Sequence, residues 1–163
     1  MQVYMEEKPK KAFINMNKSI IFIFLLLVVS ACEKNQLNPE PIDDVPVNIT
    51  INLALPQYEK LLQTGQFVYE SGGLRGVVVV HHFDNRYYAF ERTCPYQPRN
   101  ACSQIEMDSS LFLFRCGETS NGKFNKCCDS RFSTDGEVFS GPANFGLKHY
   151  IITQNGNLLN IKN

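Results

Sequence analysis

From Val47 the chain alternates apolar and polar residues, Val47-Asn48-Ile49-Thr50-Ile51-Asn52-Leu53, the period-two pattern of a strand with one buried face. Pro56 ends the pattern, and residues 57–63 read as a helical turn or short helix with Tyr58, Leu61 and Leu62 on one side, closed by Gly65. Short β-type runs follow at residues 66–69, 76–83, 86–92, 104–107, 111–115, 131–133, 137–139, 147–153 and 157–161. Between them lie Gly72-Gly73, Asp84-Asn85, Asp108-Ser109-Ser110, Asn121-Gly122, Asp135-Gly136 and Asn155-Gly156, all of which favour tight turns joining antiparallel strands. Short strands, frequent turns and no long amphipathic helix predict an all-β sandwich or small barrel.

The chain ahead of these strands has a different character. Residues 19–29 form an apolar run after Lys18, too short to span a membrane comfortably and ending at small residues, the layout of a secretory signal peptide. Val29-Ser30-Ala31-Cys32 closes the run and resembles the lipobox of bacterial lipoproteins, which implies that the Cys32 thiol is acylated and anchors the chain to membrane lipid. Met16-Asn17-Lys18 makes a compact start to such a signal, so Met16 is a candidate initiator. Residues 1–31 are then the signal peptide. Residues 32–46, polar and rich in proline, are a lipidated flexible tether, and residues 47–163 are one small domain. Glu33 after the lipid cysteine points, by the same resemblance, to the outer membrane of a Gram-negative cell envelope.

Removing the signal peptide takes away Lys8, Lys10, Lys11 and Lys18 along with Glu6 and Glu7. The sixteen basic and sixteen acidic residues of the chain become twelve and fourteen, a net charge of −2. With no basic patch or run, nothing in the chain points to nucleic acid.

Five cysteines, Cys94, Cys102, Cys116, Cys127 and Cys128, fall among the loop formers Pro95, Pro98, Gly117 and Gly122, which places them in loops rather than in a core. Around them, Tyr88-Ala89-Phe90-Glu91-Arg92-Thr93-Cys94-Pro95, Cys128-Asp129-Ser130-Arg131-Phe132-Ser133 and Asp135-Gly136-Glu137-Val138-Phe139-Ser140-Gly141-Pro142-Ala143 resemble a Rieske domain. The Ser-x-Phe, the turn glycine and the Gly-Pro-Ala before two final strands are its most specific part. The resemblance covers about residues 47–163. It implies a Rieske-like sandwich of three antiparallel sheets with a small cysteine-rich loop subdomain that carries a [2Fe-2S] cluster at its tip.

In that family a Cys-x-His loop and a Cys-x-x-His loop hold the two irons. The first cysteine falls on Cys94 and its histidine on Tyr96; counting back from Ser130-Arg131-Phe132 puts the second histidine on Cys128 and the second cysteine on Asn125. With residues 117–126 treated as an insertion, Cys116 takes the place of the second cysteine instead. Cys94, Cys116 and Cys128 are then three candidate thiolate ligands, with Cys102 or Cys127 available as a fourth, and such a set suits a single zinc or iron or an all-cysteine two-iron cluster. The resemblance also implies a disulfide between Cys127 and Cys102. From the residues alone, disulfides could pair any four of the five cysteines and leave no metal, since an exported domain sits where disulfides persist.

His81 and His82 point to opposite faces of one strand and His149 lies in a late strand; none falls on a ligand position. Tyr96 reads as an aromatic packed under a loop. No nucleophile with a base, paired carboxylates or phosphate loop is present to indicate an enzyme working alone. Two functional expectations follow: a membrane-tethered electron-transfer module with an altered ligand set, serving a redox partner protein, or a metal-free envelope component of Rieske fold held by disulfides.

Overall fold

The computed structural model of the protein describes residues 42–163. The expected signal peptide, Cys32 and most of the expected tether lie outside the described residues. Within them no helix is long and apolar enough to cross a membrane.

Ten antiparallel strands form two sheets. The first has the order β1 (Asn48–Asn52), β10 (Leu158–Lys162), β9 (His149–Asn155), β4 (Tyr87–Glu91), β3 (Val77–His81) and β2 (Phe67–Glu70). It consists of two three-stranded halves joined where β4 meets β9 through only two residue pairs, Ala89 with Tyr150 and Phe90 with His149. The second sheet runs β5 (Ile105–Asp108), β6 (Leu113–Ser120), β7 (Lys123–Ser133) and β8 (Val138–Ser140). Three expected layers thus appear as one divided sheet and one smaller one. The segment after Pro56 is a 3-10 helix, Pro56–Leu62, which buries Leu61.

Residues 43–45, placed in the tether by composition, are fastened to the domain. Lys148 Nζ donates to Asp44 Oδ1 at 2.8 Å, Asn163 Nδ2 donates to the same oxygen at 3.0 Å and to the Val45 carbonyl at 3.1 Å, and the Val47 N–H donates to Asn163 Oδ1 at 2.8 Å.

The valine run of β3 explains the layering. Strand side chains alternate between faces, so Val77 and Val79 enter one core with Ile51, Leu61, Leu159 and Ile161, while Val78 and Val80 enter a second with Phe90, Ile105, Phe114 and Phe132. A strand buried on both faces needs a continuous apolar run. Phe90, Phe114 and Phe132 are fully buried, each contributing about 2 to 3 kcal/mol by removal from water. Cys94 and Cys116 belong to this second core, at 0% and 1% exposure.

The loop placement of the cysteines needs correction. Cys116 lies in β6, and Cys127 and Cys128 lie in β7. Residues 117–126 carry little apolar alternation and are mostly exposed, so hydrophobic periodicity gives no strand signal there. The hairpin is instead set by its turn: Asn121 and Gly122 have φ of 53° and 74°, the pair of positive values that a two-residue type I′ connection requires. Ser120 pairs with Lys123 across it.

Glu91, the last residue of β4, is fully buried and has no ion-pair partner among the described residues. Its carboxylate accepts five hydrogen bonds: from the N–H groups of Leu74 (2.7 Å), Arg75 (2.9 Å) and Thr93 (3.0 Å), the Thr93 hydroxyl (2.9 Å) and the Tyr150 hydroxyl (2.8 Å). Burial, then the bond to Glu91, pushes the Tyr150 phenol above its ordinary range, so Tyr150 keeps the proton it donates. Gly73, at φ 62°, is required beside this group, because a Cβ there would overlap Glu91 Oε2 and crowd the Tyr150 hydroxyl.

A disulfide joins Cys102, in the β4–β5 connection, to Cys127 in β7, across 25 residues of sequence. In the loop-entropy account a closure of that length is worth about 3 kcal/mol. Replacing both cysteines by serine is expected to lower the unfolding free energy by about that amount in urea titrations; an unchanged midpoint would show that the bridge stabilises nothing. For the carboxylate network, Tyr150→Phe should cost about 2 kcal/mol and Glu91→Ala about 4 kcal/mol, since the second strands several buried donors. Equal effects of the two substitutions would show that Glu91 is not the centre of the network.

Candidate metal centre

Three elements converge on the second core. Cys94 follows β4 directly, where Thr93 pairs with Gln104 in an isolated bridge. The Cys94 N–H donates to the Ser103 carbonyl at 3.0 Å, and the buried Ser103 hydroxyl lies within reach of the Cys94 carbonyl at 3.3 Å and the Tyr96 carbonyl at 2.9 Å. The loop is therefore closed on itself before it departs toward Cys102. Cys116 sits in β6 opposite Ile105, and the next N–H, of Gly117, donates to the Gln104 carbonyl at 2.6 Å.

Cys128 is placed by a bulge. Arg115 pairs with Arg131 and Gly117 with Lys126, so residues 127–130 of β7 stand opposite Cys116 alone. Extra residues on one strand bend it and re-aim its side chains. The bulge is braced from outside by the Gly141-Pro142-Ala143 segment. The Ala143 N–H donates to Ser130 Oγ at 3.1 Å, and a Cβ on Gly141 (φ 96°) would collide with the Asp129 backbone, so only glycine allows this approach. That contact gives a physical reason for the motif on which the resemblance chiefly rests.

The result is a cluster in which the Sγ atoms of Cys94, Cys116 and Cys128 all lie within 4.8 Å of one another, with Cys94 and Cys128 at 3.9 Å. All three are free thiols. The Ser130 N–H donates to Cys128 Sγ at 3.4 Å, a bond that stabilises negative charge on sulfur. Contact with Cys94 and then burial push the Cys116 thiol far above its ordinary range; burial and then Cys116 raise Cys128. Thiols in this state would have to lose their protons for the three sulfurs to bind a metal ion.

The residues fit some metal groups and not others. Around one tetrahedral ion with bonds of 2.3 Å, neighbouring sulfurs lie about 3.8 Å apart, close to the 3.9 Å between Cys94 and Cys128. A Rieske cluster does not fit, because it needs two imidazoles and none is here. His81 stacks on Tyr87 at 4.4 Å and bonds Asn85, His82 pairs with Asp84 at 3.0 Å, and His149 packs against Phe90 at 4.7 Å. Tyr96, at the position of one family histidine, is partly buried against the second core, as a packing aromatic would be.

Of the sequence candidates, Cys94, Cys116 and Cys128 are brought together. Cys102 is not among them: its sulfur is bonded to Cys127, so neither can serve as the fourth thiolate, and the pairing is the one the resemblance implied. Asn125, the ungapped alternative to Cys116, pairs with Glu118 out on the hairpin. Sequence reasoning missed Glu91, Ser103 and Ser130. A signal existed for Glu91, which shares the face of β4 with buried Ala89 two residues earlier, an inward position where a carboxylate is unusual.

No protein-family model matches the chain, and no curated protein matches it in sequence. Among solved structures it is similar to the cyanobacterial plasma membrane Rieske protein PetC3 from Synechocystis PCC 6803, with 22% identity, a TM-score of 0.50, and 72% of this chain and 99% of that one covered. It also aligns with the ferredoxin of carbazole 1,9a-dioxygenase from Nocardioides aromaticivorans IC177, at 15% identity and a TM-score of 0.43, over 72% of this chain and 97% of that one. With the strand order and the first of these likenesses, the described domain has a Rieske-like fold.

Proposed function

We propose that the protein is a membrane-tethered one-electron carrier in which Cys94, Cys116 and Cys128 hold a single iron where a Rieske domain carries its cluster. The observation that carries this reading is the convergence of three free thiols within 4.8 Å on the two cysteine-bearing segments of a Rieske-type fold. Iron bound there would supply a one-electron couple, and thiolates are the ligands that select soft or borderline metals.

The chain's own groups suit that task. Cys94 and Cys116 are buried and keep water from one side, whereas Cys128 is partly exposed and gives a redox partner protein its shortest approach. The N–H of Ser130 on Cys128 Sγ would tune the couple by withdrawing charge from sulfur. Tethering rests on the lipobox-like Val29-Ser30-Ala31-Cys32 and the polar residues 33–41. A lipid on Cys32 in the outer membrane would let the domain search for partners within the length of that tether.

The second reading, a metal-free scaffold, is favoured by the Cys102–Cys127 disulfide, which already ties together the two segments a cluster would otherwise hold. Metal and thiol content separate the two. The full chain, purified in detergent without oxygen, is expected to contain one iron per chain and no acid-labile sulfide. Cys94→Ser, Cys116→Ser and Cys128→Ser should each lower iron content at least tenfold, while the Cys102→Ser/Cys127→Ser double variant retains it. Zinc in place of iron would make the centre a structural staple, and no metal in wild type would leave the scaffold reading. The visible bands and rhombic electron-spin signal of a Rieske cluster should be absent; recording both would overturn the ligand assignment.

A further inference from the structure

Three protein thiolates leave a tetrahedral ion one ligand short, and the structure provides a way in to the missing position. A cavity of about 210 Å³ opens beside the centre, lined by Cys116 and Cys128 but not by Cys94, which is buried in the second core. At roughly 30 Å³ per water, that volume admits a ligand of a few non-hydrogen atoms and no large cofactor.

The walls carry a charge preference. Arg115, Lys126 and Arg131 line the cavity against Asp108 and Asp129. Two of the cations are neutralised, Arg115 by Asp108 at 3.3 Å and Lys126 by Asp129 at 2.6 Å. Arg131 has no ion-pair partner among the described residues. Arg115 Nε is itself buried and has no hydrogen-bond partner among the described residues. The Arg115 guanidinium carbon lies over the Phe124 ring, 3.7 Å from the centroid, and Phe124 reaches that position only because Gly117 has no side chain: a Cβ there would come within 2.7 Å of the ring. A guanidinium packed on an aromatic ring, an arginine without an ion-pair partner among the described residues, and an excess of one cation over the carboxylates favour an anion in this cavity.

We propose that this cavity is the binding site for a small exogenous monoanion, which completes the coordination of the metal at Cys94, Cys116 and Cys128 and is held by Arg131 and Arg115. The inference rests on the three-thiolate centre proposed above. It assigns Arg131 and Arg115 a role in ligand recognition and makes the centre accessible to small molecules as well as to a redox partner. A fully enclosed four-ligand site has neither property.

The test uses the full chain reconstituted with cobalt(II), whose visible spectrum reports both thiolate binding and coordination by a fourth ligand, with azide as the probe. Cobalt should produce thiolate charge-transfer absorption, and azide should shift the ligand-field bands saturably. Arg131→Gln, an exposed change, should leave the azide-free spectrum as it is and weaken azide binding by about fivefold, the scale of one partly screened charge. Tyr96→Phe should leave both spectrum and azide affinity unchanged.

Failures are distinguishable. If cobalt binds with thiolate absorption but azide has no effect, a protein group closes the fourth position and this inference falls while the three-thiolate centre stands. An altered azide-free spectrum in Tyr96→Phe would identify the tyrosine as that group and overturn it likewise. If Arg131→Gln binds azide with wild-type affinity, the cavity does not select anions. If cobalt produces no thiolate absorption at all, the metal centre itself is wrong and both readings fall.

Discussion

Glu91 is the constraint on which the arrangement of this domain depends. A buried carboxylate without a cation is costly unless its oxygens are saturated with donors, and here five donors come from three separate parts of the chain: the turn before β3, the start of the Cys94 loop and strand β9. Each of those parts is thereby fixed relative to β4. The two halves of the larger sheet share only two residue pairs between β4 and β9, and the Tyr150 hydroxyl on Glu91 reinforces that weak seam. Because Thr93 is held by the same carboxylate, Cys94 leaves the sheet in a set direction, toward the second core rather than toward solvent. The reach of one polar group thus extends from sheet assembly to the placement of a candidate metal ligand.

The other two thiols are positioned by different means. Cys116 takes its place from strand register opposite Ile105. Cys128 takes its place from a four-residue bulge braced by Ser130, Gly141 and Ala143. Cys102 and Cys127 lie adjacent in sequence to the same segments but are used covalently, tying the Cys94 loop to β7. The cysteines therefore divide into a staple and a cluster. The disulfide and the candidate metal site are made from different cysteines, so the presence of the disulfide does not by itself exclude a metal at the other three.

Much of the fold could be read in the sequence because its strands follow the two rules that hydrophobic pattern expresses best. β1 alternates, and β3, buried on both faces, is a continuous valine run. Each turn pair named from composition lies between strands or at their ends. The hairpin of β6 and β7 was legible only through Asn121-Gly122, because exposed strands held by backbone pairing show no apolar period. For the site, the three converging thiols were named, since the Gly-Pro-Ala motif anchors the alignment near Cys128. Sequence leaves Cys102 open as a further ligand, because whether a thiol faces a metal or another sulfur depends on distances set by the bulge and by the Ser103-closed loop. Glu91 escaped notice because its partners are mainly backbone N–H groups, which leave no mark on residue identity.

In the proposed centre, three sulfurs from Cys94, Cys116 and Cys128 surround one metal ion. X-ray absorption at the metal edge of the full chain, purified without oxygen, tests it directly. The expected result is three sulfur scatterers near 2.3 Å and one lighter atom, with no second metal in the neighbouring shell. A metal–metal vector together with two nitrogen scatterers per cluster would restore a Rieske centre and contradict the assignment, and the absence of any sulfur-bound metal would show that the three thiols are packing alone.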